Sequence, residues 1–272
     1  MRHPRGSTEH YERWANTLAD PTGLWLEQFR ETTVQMPTWC MGRLTYDSVG
    51  GFDEVDPRLG EGEDLVFFHK HIDRFVDKKH NGAVPKVNQL TEQNTPLRRA
   101  GACHETPLLL YRWSPESGTS RVSRQRLLEI RSGAFQRRVL AQKSWRQFIV
   151  WGAGRDAKAF VNSLTPQNRG KVVAMLDVDE NKCGRSYSNH RWNDSSQGKD
   201  SAVPALSIPV VFFSTHAASE KKRMESANEF PPIPIVVCVA KRRKGPGEEG
   251  DLERNVGTIP GLEEGESVWY FM

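Results

Sequence analysis

The sequence predicts an α/β protein, and three observations carry that reading. From residue 147 onward, short apolar runs alternate with helix-spaced segments, which calls for a parallel sheet covered by helices. A glycine-rich turn, Gly152-Ala153-Gly154, stands between the first such run and the first such helix. Before residue 120, amphipathic helical stripes mix with turns and isolated strands, and no internal repeat is visible. A chain of 272 residues has room for two domains.

Each element has its own signal. Tyr11, Trp14, Leu18, Trp25 and Phe29 are partly helix-spaced, but Asp20-Pro21 breaks the run into two short helices. Residues 34–41 read as a strand, with Pro37 forcing an edge or a bulge. Residues 49–53 form a turn. Residues 64–75 place Leu65, Phe68, Ile72 and Phe75 on one helical stripe behind an acidic start. Residues 77–105 keep no period and are expected to be an insertion without fixed structure. A strand over 106–113, a turn over 114–119 and a basic helix over 122–142 follow. Strands are then expected at 147–151, 172–176, 209–213, 233–239 and 268–271, helices at 155–164, 217–227 and 248–256, and a polar loop at 187–202. The domains implied are 1–120, a connecting helix over 121–145, and 146–272.

Composition excludes several classes. Eight Trp and twelve Phe are too many for a wholly disordered chain. No apolar run approaches the roughly 18 residues of a membrane-spanning helix, and Met1-Arg2-His3-Pro4-Arg5 has no apolar core behind it. Cys40, Cys103, Cys183 and Cys238 are too scattered for a zinc site or a disulfide framework. A cytoplasmic protein with reduced thiols and no membrane partner is expected.

The net charge is +4, but residues 121–146 alone carry +7, with Glu129 the single acid among eight basic residues. A one-signed stretch is a candidate phosphate-contacting surface. Arg124, Arg131, Arg137 and Arg138 are its expected nucleic-acid contacts, with Leu127, Leu128, Phe135 and Leu140 turned inward. A solvated face, or a strut pairing with acids of the preceding domain, is the competing reading.

Residues 148–157 fit strand, G-x-G-x-x-A, helix. Gly152 permits the tight turn, Gly154 lets a pyrophosphate approach the backbone, and Ala157 allows close helix packing. Asp177, ending the next strand, is placed to accept from a ribose hydroxyl. These residues describe a Rossmann-like domain, although many such domains keep the turn for packing alone. No His, Tyr-x-x-x-Lys or Cys constellation supplies hydride transfer, and residues 177–182 resemble small nucleotide-sugar-binding domains. UDP-sugar is therefore as good a guest as NAD.

Glu61-Gly62-Glu63-Asp64 opens the helix that buries Leu65 and Phe68. Carboxylates there are favoured by the helix dipole as caps. They also suit a general base, which an inverting sugar transfer needs to deprotonate the acceptor hydroxyl.

The surrounding blocks extend that second reading. Residues 6–14, Met36-Pro37-Thr38-Trp39, Val49-Gly50-Gly51-Phe52-Asp53-Glu54, Gly62-Glu63-Asp64-Leu65-Val66-Phe67-Phe68 and Leu108-Leu109-Leu110-Tyr111-Arg112-Trp113 resemble the second half of a family 2 glycosyltransferase with a GT-A fold. The resemblance continues through Trp151-Gly152-Ala153-Gly154, residues 177–182, 235–239 and 252–255, in the same order. It points to the branch associated with galactosylation of queuosine in transfer RNA. By resemblance, Asp64 is the acceptor base and Glu63 supports it. Trp39 and Arg43 lie near the acceptor, and Arg112 approaches the donor diphosphate. UDP-sugar and tRNA are the implied partners, and Mn²⁺ or Mg²⁺ the implied metal. Two departures stand out. The family's Asp-x-Asp motif, which grips metal and UDP, has no counterpart here, and Ser114 replaces a His. A truncated member with little transferase activity of its own is the expectation. A glycan- or protein-directed β-1,3-N-acetylglucosaminyltransferase and a nucleotide-binding oxidoreductase-like protein are the alternatives.

Overall fold

The computed structural model describes residues 2–3, 9–18, 20–53, 62–80, 111–112, 122–189, 192, 206–226, 231–240 and 250–272. The chain is α/β and divides into two compact units, Met1–Arg138 and Val139–Met272. The basic segment up to Arg138 thus belongs to the first unit, whereas the sequence had placed a separate connector over 121–145.

In the first unit, helices α1 (Glu9–Thr17) and α2 (Pro21–Leu26) are separated at Asp20, as the sequence predicts. Asp20 caps α2 by accepting from the Gly23 amide at 2.9 Å, and Pro21 occupies the first helical position, where its missing N–H costs nothing. The expected strand at 34–41 is not formed. Met36–Thr38 is instead a 3₁₀ turn, closed by the Thr38 amide and hydroxyl donating to the Gln35 carbonyl at 2.9 and 2.7 Å. Pro37 fixes a φ that suits that turn and removes a ladder donor. Helix α3 (Arg43–Val49), unforeseen in the sequence, ends where Gly50 and Gly51 take φ of 94° and 72°.

Helix α4 (Glu63–His80) runs four residues into the segment expected to lack structure; residues 81–105 lie outside the described residues. Its buried stripe is Leu65, Phe68, His69, Ile72 and Val76, so the helix is turned so that Val76, not Phe75, faces the core. Of the expected strand at 106–113, only Tyr111–Arg112 is described. It is β2, pairing in parallel with β1 (Arg2–His3). Helix α5 (Arg124–Phe135) is capped by Ser123, whose hydroxyl accepts from the Arg126 amide at 3.0 Å, and it continues as a π-helical turn over Gln136–Leu140. Phe135 packs edge-on against Phe29 with ring centroids 4.9 Å apart.

The second unit contains, in chain order, β3 (Phe148–Trp151), α6 (Arg155–Ser163), α7 (Pro166–Arg169), β4 (Val172–Asp177), β5 (Ser186–Tyr187), β6 (Ile208–Phe212), α8 (Phe213–Ser226), β7 (Ile235–Val237), α9 (Asp251–Gly257) and β8 (Val268–Tyr270). The sheet order is β5-β6-β4-β3-β7-β8. Every pairing is parallel except that of the edge strand β5 with β6. All four residues of β3 are buried, as a strand covered on both faces requires. Ile149, Trp151, Leu176, Ile235, Val237, Ile259 and Val268 share one core cluster, and on α6 Phe160 meets Phe271 at 4.7 Å. From β3 the chain builds outward to β4 and β6, then returns to add β7 and β8 on β3's other side. The direction of winding therefore reverses between β3 and β7, the place where open α/β sheets hold ligands.

Candidate functional site

Two places collect the residues singled out in the sequence, one in each unit. In the first unit, Asp64 lies on the opening turn of α4, half-buried, and accepts from the Leu65 amide at 2.7 Å. Burial raises its pKa above the usual carboxylate value; the Leu65 amide opposes this and the charge of Glu63 adds to it. Glu63 itself is exposed. One turn along α4, Phe67 belongs to a cluster of aromatic rings. Trp39 stacks on Phe52 (6.3 Å, 2°) and meets Phe67 at 5.5 Å, while Tyr46 meets Phe67 at 5.6 Å. Trp39 is anchored by its indole N–H donating to the Val34 carbonyl at 2.7 Å. Arg43, on α3, is exposed, its guanidinium ion-paired with Asp47 at 2.8 Å. Arg112 is placed on β2, but its side chain lies outside the described residues, as do residues 6–8, Glu54, Leu108–Leu110 and Trp113.

Helix α5 runs alongside α4 in the same direction. Gly62, just before α4, takes φ of 65°, and a side chain there would press against Ile130 at 3.3 Å and Val122 at 3.6 Å. Eleven residues on in α4, Asp73 receives both Arg137 and Arg138. Arg137 donates through Nε and Nη2 at 3.0 and 2.9 Å, and Arg138 through Nη1 at 2.5 Å.

Arg138 was expected to face outward and does not. Its side chain is buried over the Phe29 ring, its Nη1 also reaches the His69 carbonyl at 3.3 Å, and its Nη2 lies 2.6 Å from His69 Nδ1. Burial pushes its pKa down to about 10, with Asp73 acting against the shift. Since arginine only donates, Nδ1 of His69 accepts and its proton sits on Nε2. Burial first, then the charges of Arg138, Arg137 and Arg131, hold His69 well below the ordinary histidine pKa. Arg131 likewise turns inward to donate to the Phe29 carbonyl. Arg124 and Arg137 are exposed, and Arg124 lies at the same end of the helix pair as Asp64. The inward arginines were readable in the sequence. Leu127, Arg131, Ala134, Phe135 and Arg138 fall on one helical stripe, and long arginine stems can lie along such a face.

In the second unit the glycine-rich turn joins β3 to α6. Gly152 takes φ of 106°; Gly154 is extended at φ −83°, and a Cβ there would meet nothing within 4 Å. The Gly152 amide donates to the Leu176 carbonyl at 2.7 Å, and the Ala153 amide to Asp177 Oδ2 at 2.8 Å. Asp177 is buried. Its Oδ1 accepts from the Asp179 amide at 2.9 Å, and Lys182 Nζ lies 3.2 Å from both oxygens. Asp177 is thus turned onto its own chain instead of standing open for a ribose hydroxyl. Ala157 is buried under the turn, as expected. Lys182, Val239, His69 and Asp73 complete these sites but were not singled out in the sequence, because their roles depend on partners remote in the chain.

Among the described residues, no group of three or more His, Cys, Asp or Glu side chains is arranged to hold a metal ion. No helix among them is long and apolar enough to cross a membrane. No protein-family model matches the chain, and no solved structure matches it. What the fold itself defines is a class: an α/β protein with a mostly parallel six-stranded sheet in its second unit.

Proposed function

We propose that the chain serves the acceptor side of a sugar transfer from a UDP-sugar, with galactose the donor sugar and queuosine of a transfer RNA the acceptor. In this reading the first unit is part of a GT-A domain of a family 2 glycosyltransferase and the second is a Rossmann-like domain. The observation that carries it is Asp64, a half-buried carboxylate with a raised pKa, one helical turn before Phe67 of the aromatic cluster and on a helix packed against a basic one.

The chemistry follows from that placement. A carboxylate whose pKa is raised toward the working pH is a stronger base than an exposed one. Asp64 takes the proton of the acceptor hydroxyl as its oxygen bonds to the anomeric carbon and the bond from that carbon to UDP breaks. The flat faces of Trp39 and Phe52 suit a planar acceptor base. Arg124, at the same end of the helix pair, suits the flanking phosphates. A divalent metal would neutralise the leaving diphosphate; the described residues offer no ligand set for it.

The test has two arms. The chain is titrated with bulk tRNA, where salt-dependent binding is expected. In a polypeptide joining the family's donor-binding half to this chain, UDP-galactose should then label queuosine-containing tRNA. Failure of both arms removes the proposal.

A further inference from the structure

A sheet wound as β6-β4-β3-β7-β8 normally carries a nucleotide over the turn after its first strand, with the ribose on the acidic residue ending the second. Here the first turn amides and the acidic residue are engaged by the chain itself. Asp177 gives both carboxylate oxygens to backbone amides, Ala153 on one side and Asp179 on the other, with Lys182 against them. Two turn amides that could face a phosphate, those of Gly152 and Ala153, donate to β4 instead. From the opposite side, the segment after β7 closes over the turn. The Cys238 amide donates to the Trp151 carbonyl at 2.9 Å, and Val239 Cγ2 would lie 2.9 Å from a Cβ on Gly152. On the first turn of α6, Arg155 is ion-paired with Asp156 at 3.3 Å, so that turn offers no net positive charge to a phosphate.

We infer that this glycine-rich turn is a latch joining β3, β4 and the end of β7, and that it does not cradle a nucleotide. The glycine at Gly152 is required by its φ and by Val239, not by a pyrophosphate. The inference is independent of the sugar-transfer reading and holds whether or not that reading survives.

The two glycines separate a latch from a nucleotide site. A latch is sensitive at Gly152 and Asp177 and indifferent at Gly154, where extended backbone and open space accept a side chain. The full chain is melted with and without millimolar NAD⁺, NADP⁺ or UDP-galactose, as wild type and as Gly152→Ala, Gly154→Val and Asp177→Asn. The expected result is no ligand-induced shift in wild type. Gly154→Val should melt as wild type does, while Asp177→Asn melts about 4 °C lower and Gly152→Ala lower still. Nucleotide binding that survives Gly154→Val lies away from the turn and agrees with the latch. A saturable shift with any of the three nucleotides that Gly154→Val abolishes, in a variant that still melts normally, overturns it.

Discussion

Asp73 and Arg138 form an ion pair across 65 residues of chain, with the arginine side chain only 3% exposed and the carboxylate 23% exposed. A buried guanidinium is tolerable only while its partner is present, because desolvating a charge costs several kcal/mol. Asp73 also holds Arg137, so one carboxylate fastens α4 to the end of α5.

Replacing Asp73 with Ala should therefore destabilise the first unit by about 3 kcal/mol, since it strands Arg138. Arg137→Ala, which removes an exposed partner, should cost less than about 1 kcal/mol. Urea midpoints measured at constant m-value check both, and equal losses would show that Arg138 does not depend on Asp73.

His69 makes that region sensitive to acid. Its folded pKa lies well below the ordinary 6.5, so below about that pH the unfolded chain takes up a proton that the folded one refuses. The stability due to neutral His69 is full above pH 6.5 and declines as the pH falls toward the folded value, by at most about 1.4 kcal/mol per pH unit. Stability measured from pH 7.5 to 5 should slope this way in wild type, and less so in His69→Asn.

Asp64→Asn should lower sugar transfer by about 10²- to 10⁴-fold in a polypeptide that includes the donor-binding half, with tRNA affinity unchanged. It should not destabilise the chain at pH 7. A raised carboxylate pKa means that the fold disfavours the ionised form, so the neutral amide relieves a cost present above that pKa. A variant with wild-type turnover would make Asp64 a helix cap alone.

Arg124 is the cleanest probe of the proposed tRNA contact, since it is exposed on the first turn of α5, which holds no acid. Arg124→Glu should weaken tRNA binding and lower the slope of log affinity against log salt by about 0.7 to 0.9 for one lost phosphate contact. The melting temperature should stay within a degree. Unchanged binding would leave the basic helix as a fastening element.

The second unit was the more legible half. Alternation of apolar and helical runs located its five parallel strands to within about two residues, because strands buried on both faces need unbroken apolar stretches. The first unit was less so. Pro37 sits in a run of apolar residues that reads equally well as strand or as turn, and only the Gln35 and Thr38 contacts decide it. The sites divide in the same way. Gly152 and Ala157 could be placed from spacing, since the turn is local. Asp177 could be placed at the end of β4, but the direction of its carboxylate depends on an amide 24 residues earlier. Charge alone puts Arg138 on the outer face, whereas its stripe position puts it inside, and Asp73, which makes its burial possible, lies on another helix.

That same bond between Ala153 and Asp177 imposes an order of assembly. The acceptor is made after the donor, so a nascent chain that has emerged only through α6 carries a loop whose amides face water. Closure waits until β4 has been laid beside β3, and Val239 cannot cap the result until β7 has joined them. The segment after β7 therefore finishes a corner that was begun at β3, and a segment ending before residue 177 would contain the whole glycine pattern yet lack the contacts that close it.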